Sequence, residues 1–219
     1  MTARSERCVI ARRWRNGLIV AAAIFAASAP AHAHHPRPQQ GTLIGVEIPA
    51  IGHGEMLAVA TYRSDILDLA RGQVRTDPTL RRLMGFVSLQ HFACLWGLVP
   101  GSLTDEASPF NECSHAYVAG ARALLAHMGT MPGDQSAAKA LEARIAADIA
   151  ADPVFAALCA NSSETFDSGV IIGPEWGLAP SHLPTVLTGL FLLALAAGGA
   201  WLLWRCLPVA NRPASSGTR

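Results

Sequence analysis

The segment TVLTGLFLLALAAGGAWLLW, residues 185–204, decides the architecture of this chain. These 20 residues carry no charge, and Arg205 follows them at once. A helix of this length rises about 30 Å, which matches the hydrocarbon core of a bilayer. We therefore predict a C-terminal transmembrane helix over 185–204, in preference to a buried helix of a soluble core.

The tail that follows this segment predicts its orientation. Residues 205–219 contain Arg205, Arg212 and Arg219 and no acidic residue. Positively charged residues near a span favour the cytoplasmic side. We expect a single-pass inner (plasma) membrane protein with an exported N-terminal domain and a cytoplasmic tail.

The other end of the chain has the pattern of a secretory signal peptide. An arginine-rich start precedes ten apolar residues, Leu18 to Ala27, and Ala31-His-Ala33 has the small-x-small form of a cleavage site. The apolar run is too short to span a bilayer, which argues against an uncleaved anchor. We predict a signal peptide over 1–33 and a mature protein that begins at His34.

Between the two ends lies enough sequence for one exported domain. Residues 34–53 begin rich in Pro and Gln and predict a flexible arm, 54–160 predict the helical domain, and 161–184, rich in Gly and Pro, predict a juxtamembrane linker. Residues 34–204 hold nine basic and fifteen acidic residues, a net charge of −6. This charge argues against a nucleic-acid partner.

Helical signals dominate the exported domain, and strand signals are poor. We predict helices from Glu55 to Arg71, from Asp77-Pro78 to about Gly97, from Ser108-Pro109 or Asn111 to about Met128, from Pro132-Gly133-Asp134 to about Ala151, and a short one after Asp152. Short loops between successive helices favour antiparallel neighbours. The expected fold class is all-α: a small up-and-down bundle outside the membrane plus one transmembrane helix.

The second helix is apolar on two faces. Leu80, Leu83 and Val87 belong to one stripe, and Leu89 and Phe92 belong to the other. A helix that is apolar nearly all round is buried on most sides. We expect this helix at the centre of the bundle.

Three cysteines remain in the exported domain once Cys8 of the signal and Cys206 at the inner membrane face are set aside. Antiparallel second and third helices would bring Cys94 and Cys113 together at their ends. In an oxidising compartment such a pair forms a disulfide. We predict the bridge Cys94–Cys113, with Cys113–Cys159 or no structural bridge as the alternatives.

Histidines beside these cysteines suggest a second interpretation. His91-x-x-Cys94 and Cys113-x-His115 supply two histidines and two cysteines, a donor set that suits zinc or copper. Oxidised cysteines do not ligate as thiolates, so the disulfide and the four-ligand site exclude each other.

Cleavage after Ala33 would expose His34-His35 with a free α-amine. An N-terminal histidine chelates copper through its amine and its ring, and this junction resembles the start of copper proteins that use a histidine brace. The resemblance implies a copper site at His34 and His35, completed by another residue such as His53, His115, His127 or His182.

Catalytic signatures such as HExxH, CxxC, GxSxG and Walker sequences do not occur in the chain. We therefore expect a non-enzymatic accessory protein that binds or stabilises a membrane protein, with metal handling as the alternative and a thiol oxidoreductase as a weaker third. Trp96, Phe110 and Trp176 are candidates for a partner surface. Small residues such as Ala194 and Gly198 in the span predict a homodimer through that helix.

Overall fold

Five α-helices make up most of the computed structural model, which describes residues 45–152 and 165–206, all within the compact unit Leu43–Arg219. In chain order the elements are β1 (Glu47–Ile48), α1 (His53–Arg71), α2 (Pro78–Ala93), α3 (Asn111–Met128), α4 (Ser136–Ala151), β2 (Phe166–Asp167) and α5 (Leu183–Cys206). The predicted all-α class is confirmed, with α1 to α4 forming the bundle.

Helix α2 begins as its sequence predicts and ends earlier. The Asp77 carboxylate accepts the backbone N–H of Leu80 at 2.7 Å, and Pro78 occupies the first turn, where its missing N–H costs little. The helix stops at Ala93 rather than near Gly97. Leu95 has a φ of 49° and Gly97 a φ of 81°, both in the left-handed region that a right-handed helix cannot contain.

The central helix is α3, and the expectation that α2 would be central is wrong. Twelve of the 18 residues of α3 are buried, among them Ala116, Ala119 and Ala121. Small side chains on several faces let α1, α2 and α4 approach α3 together. In α2 the stripe of Leu80, Leu83 and Val87 is covered, whereas Leu89 and Phe92 of the second stripe stay exposed.

Gly120 marks the closest approach of α2 to α3. A Cβ atom at this position would lie 2.8 Å from Cε1 of Phe86 and 3.1 Å from Cγ2 of Val87. Both neighbours are buried. Only glycine fits this position without displacing a core side chain.

Contacts at the helix ends give the direction of each helix. The end of α2 meets the start of α3 at Cys94–Cys113, and Asp77 at the start of α2 bonds His127 near the end of α3. Helices α2 and α3 are therefore antiparallel. His53 contacts His115 near the starts of α1 and α3, so those two helices begin at the same end of the bundle.

Segments predicted as arm and linker pack on the bundle where the structure describes them. Strands β1 and β2 pair antiparallel, with Ile48 opposite Phe166, and both side chains are buried. The β-branched run Val170-Ile-Ile172 is not a strand but lies beside the bundle. The predicted short helix after Asp152 falls in 153–164, outside the described residues.

Helix α5 is the candidate span. Its residues Leu183–Leu202 are long and apolar enough to cross a membrane, and none of this stretch is buried against the rest of the protein. Exposed apolar side chains along its length, including Leu187, Leu190 and Phe191, differ from the surface of a soluble core helix. A C-terminal apolar helix with these properties agrees with the sequence prediction.

Candidate functional site

A disulfide joins the bundle helices next to the candidate span. Cys94 and Cys113 are bonded, with their Cα atoms 5.4 Å apart, as the sequence predicted. Both are buried with Val99 and Phe110 in a second small core. The bridge closes a separation of 19 residues, worth about 3 kcal/mol in the chain-entropy model.

Formation of this bridge leaves no thiolates for the four-ligand metal site. The His91 ring is exposed and lies 5.4 Å from the Tyr117 ring, whereas His115 is buried and contacts His53 instead. Within residues 45–152 and 165–206, no group of three or more His, Cys, Asp or Glu is placed to hold a metal ion.

The copper prediction at the mature N-terminus concerns residues outside the described part of the chain. His34 and His35 precede residue 45, where the description starts. Cys159, the third exported cysteine, also falls outside it. The brace at His34 and His35 stays a prediction.

Gln90 fastens the segment before α5 to the bundle. Its buried side-chain amide donates to the carbonyl oxygens of Ile172 at 2.7 Å and Cys113 at 3.1 Å, and it accepts the N–H of Ile172 at 3.0 Å. Both the donor and the acceptor of this buried amide are thus satisfied, as burial requires. A second tie follows nearby, where Glu175 donates its backbone N–H to Pro109 at 2.8 Å.

His182 makes the last tie before α5 begins. Because a carboxylate only accepts, His182 Nε2 donates to Asp105 Oδ2, at 2.9 Å. His182 Nδ1 lies 2.7 Å from the hydroxyl oxygen of Thr185 in the first turn of α5. The His182 hydrogen bond, with a second from the Ala107 N–H, holds the pKa of the Asp105 carboxyl below its ordinary value.

Carboxylate, imidazole and hydroxyl also occur in this order in hydrolytic triads. Here all three groups connect the loop that the disulfide closes, between α2 and α3, to the first turn of α5, so we interpret them as positioning that helix. We call the ties made by Gln90, Glu175 and His182 the bundle–helix junction. Together they fix the start of α5 to one end of the bundle.

Exposed apolar side chains occur on the segments that form this junction, at the end of α2 and before α5. Phe92 is 79% exposed, and Leu89 lies one turn before it on the same face of α2. We call the following six residues the apolar end surface: Leu89, Phe92, Leu95, Leu98, Trp176 and Leu178. Four of these residues flank Cys94 in the chain, at the end of the bundle that carries the disulfide.

Of the three predicted surface aromatics, the structure brings two together. The Phe110 and Trp176 rings meet edge to face, with centroids 5.6 Å apart; Phe110 is buried and Trp176 exposed. Trp96 is half-buried and packs on a different ring, with its centroid 4.7 Å from that of Tyr117. Only Trp176 therefore belongs to the apolar end surface.

A charged cluster occupies another side of the bundle, between α1, α3 and α4. Arg122 donates to Glu55 at 2.7 Å and to Glu142 at 3.0 Å. Partial burial lowers the pKa of Arg122, but the hydrogen bonds and charges of the two carboxylates outweigh it and raise this pKa overall. A cavity of about 230 Å³ beside the cluster has mainly apolar walls. Since Arg122 engages both carboxylates, we assign the cluster a structural role.

Sequence reasoning missed the junction because its members are far apart in the chain. Gln90 and Ile172 are 82 residues apart, and His182 and Asp105 are 77 apart. The only feature of the sequence that could have indicated the junction was a polar residue, Gln90, between the two apolar stripes of α2. No protein-family model, curated protein or solved structure matches this chain.

Proposed function

We infer that this chain is a non-enzymatic accessory protein, anchored by α5, that binds an integral membrane protein through the apolar end surface. The bundle–helix junction is the observation that supports this proposal most. It holds the apolar end surface beside the start of α5, where a neighbouring membrane protein is within reach.

Exposure and position favour a protein as the occupant of this surface. Leu89 and Phe92 project from a helix at helical spacing, which suits docking against another protein surface. Large exposed apolar patches on folded proteins mark interaction sites. Because the net charge of residues 34–204 is −6, the domain would be repelled by an anionic lipid surface.

The proposed topology places the bundle on the exported side. The arginines of the tail and the signal pattern of residues 1–33 support it. Ala194 and Gly198 are exposed on α5, so two copies of the helix have the small residues needed for close packing. A homodimer through α5 is the corresponding part of the proposal.

Co-purification tests the partner part of the proposal. A tagged chain is recovered from detergent-solubilised membranes as the native protein, as Leu89→Ser/Phe92→Ser, and as Val74→Ser. Val74 is the matched control because it is 98% exposed and lies before the opposite end of α2. We expect one integral membrane protein to co-purify with the native chain and with Val74→Ser, and we expect it to be absent from the double variant.

Circular dichroism of the three proteins shows that each is folded. Equal recovery of the same membrane protein with all three would overturn the assignment of the surface. Recovery of lipid alone with the native chain would overturn the accessory function.

A further inference from the structure

An exposed glycine, Gly85, occupies the middle of α2. Gly120 in α3 is required by the fold, because a Cβ atom there would lie 2.8 Å from Cε1 of Phe86. At Gly85 a Cβ atom would meet nothing within 4 Å, so the packing of the described residues does not require glycine at this position. Glycine is unfavourable inside a helix, and its advantage is that another backbone can approach it closely. Gly85 therefore indicates that a further segment packs against α2.

Gly85 lies on a continuous exposed side of α2. We call the following six exposed residues the open face of α2: Arg81, Arg82, Gly85, Ser88, Leu89 and Phe92. Their spacings of three, four and seven residues place them on one side of the helix. The face is about 16 Å long from its first to its last residue, at a rise of about 1.5 Å per residue. It is long enough to contact about three turns of a second helix.

Charge and apolar surface occupy opposite ends of the open face. Arg81 and Arg82 lie toward the start of α2, and ion pairs among the described residues engage Arg71 and Arg122 but neither of these two. The two apolar members of the face lie toward the end of α2, near the disulfide. The open face carries two positive charges and no negative one, although residues 34–204 have a net charge of −6. This local charge favours an acidic segment as the occupant.

We propose that a helix of the membrane partner packs across Gly85, with acidic residues opposite Arg81 and Arg82 and apolar residues opposite Leu89 and Phe92. This inference rests on the proposed function and adds the chemistry of the partner segment. The distance between packed helices depends on the side chains at the contact, so glycine at the crossing point gives the closest approach. The arginine–carboxylate pairs set the register of the partner helix, and the apolar side chains supply the buried contact.

Gly85→Gln separates binding from folding. Glutamine has a higher helix propensity than glycine, so we expect the free variant, in detergent, to unfold at a higher urea concentration than the native chain. Its side chain blocks the close approach on the open face, and recovery of the membrane partner by co-purification should fall about tenfold or more. Ala143→Gln, at an exposed position of α4, is the matched control and should recover the partner fully.

Arg82→Glu tests the charge of the open face. A glutamate at this position would oppose the acidic residues of the partner helix, so recovery of the partner should again fall about tenfold or more. Arg75→Glu is the matched control, because Arg75 is exposed and lies before the start of α2. It makes the same change in net charge outside the open face and should leave the recovery unchanged.

Benzoyl-phenylalanine in place of Ser88 identifies the segment that occupies the open face. Ser88 is exposed and lies one turn after Gly85. Mass spectrometry of the adduct should map the crosslink to a helix of the membrane partner that carries acidic residues on the side of its apolar ones. An adduct on a segment without acidic residues would contradict the proposed chemistry.

The outcomes distinguish this inference from the accessory function. Loss of the partner with Leu89→Ser/Phe92→Ser, but full recovery with Gly85→Gln or Arg82→Glu, would overturn the inference and leave the accessory function intact. Equal losses with Arg82→Glu and Arg75→Glu would also overturn the inference. Failure of the native chain to recover any integral membrane protein would overturn both.

Discussion

Gly120→Ala provides a sharp test of the packing of α2 against α3. The added Cβ would lie 2.8 Å from Cε1 and 2.9 Å from Cδ1 of Phe86. Since Phe86 is 2% exposed, its ring is enclosed by the core and does not lie next to solvent into which it could turn. Overpacking of this kind costs about 1–3 kcal/mol.

Helix propensity acts in the opposite direction. Alanine is more favourable than glycine inside a helix by about 0.8–1.0 kcal/mol. Gly85→Ala in α2 is the matched control, because Gly85 is exposed and its Cβ would meet nothing within 4 Å. Both variants share the propensity gain, so the difference between them isolates the overpacking cost.

Urea unfolding of the full chain in detergent, followed by tryptophan fluorescence and circular dichroism, measures this difference. We expect Gly85→Ala to be stabilised by about 1 kcal/mol and Gly120→Ala to be less stable than Gly85→Ala by about 1–3 kcal/mol. Equal unfolding free energies for the two variants would refute the close approach at Gly120.

Three further predictions concern the disulfide, the capping carboxylate and the topology. Cys94→Ser or Cys113→Ser should each lower the free energy of unfolding by about 2–5 kcal/mol; an unchanged urea midpoint would contradict this. The hydrogen bond from the backbone N–H of Leu80, together with the neighbouring His127, lowers the pKa of the Asp77 carboxyl. The ionised carboxylate of Asp77 therefore stabilises the folded protein fully above the unfolded-state pKa of about 3.9, and this stabilisation is lost as the pH falls through the lower folded-state pKa. Asp77→Asn, which still caps the helix, should therefore reduce the loss of stability between pH 5 and pH 2 in urea titrations, and an unaltered loss would refute the assignment. A phosphatase fused at Asn161 should be active and one fused at Arg219 inactive, whereas activity at Arg219 would reverse the orientation.

Local signals predicted the bundle helices well. Asp77-Pro78 sets the start of α2, and α3 ends at Met128, where its sequence pattern ends. The disulfide also followed from the sequence, because antiparallel neighbours place Cys94 beside Cys113. Each of these features depends on residues close in sequence or on one helix pair.

The extent to which each helix is buried in the bundle could not be predicted from its apolar pattern. Leu89 and Phe92 are as apolar as the buried stripe of α2, but the bundle has no element that covers them among its described residues. Burial of α3 instead depends on small side chains, such as Ala119 and Gly120, that admit three neighbours. An apolar stripe shows that a face avoids water, and only the assembled fold shows what covers it.

The candidate sites depend on contacts between distant parts of the chain. His53 was one of several candidate ligands in the sequence, and only the parallel course of α1 and α3 pairs it with His115. The bundle–helix junction likewise joins Gln90 to a segment 82 residues away. No local pattern encodes such pairs.

Photo-crosslinking in intact cells tests the accessory function most directly. Benzoyl-phenylalanine replaces Phe92 in one protein and Val74 in another, both strongly exposed positions toward opposite ends of α2. We predict that the position of Phe92 crosslinks to one integral membrane protein and that the position of Val74 does not. Absence of a protein adduct at Phe92, or the same adduct from both positions, would contradict a partner bound at the apolar end surface.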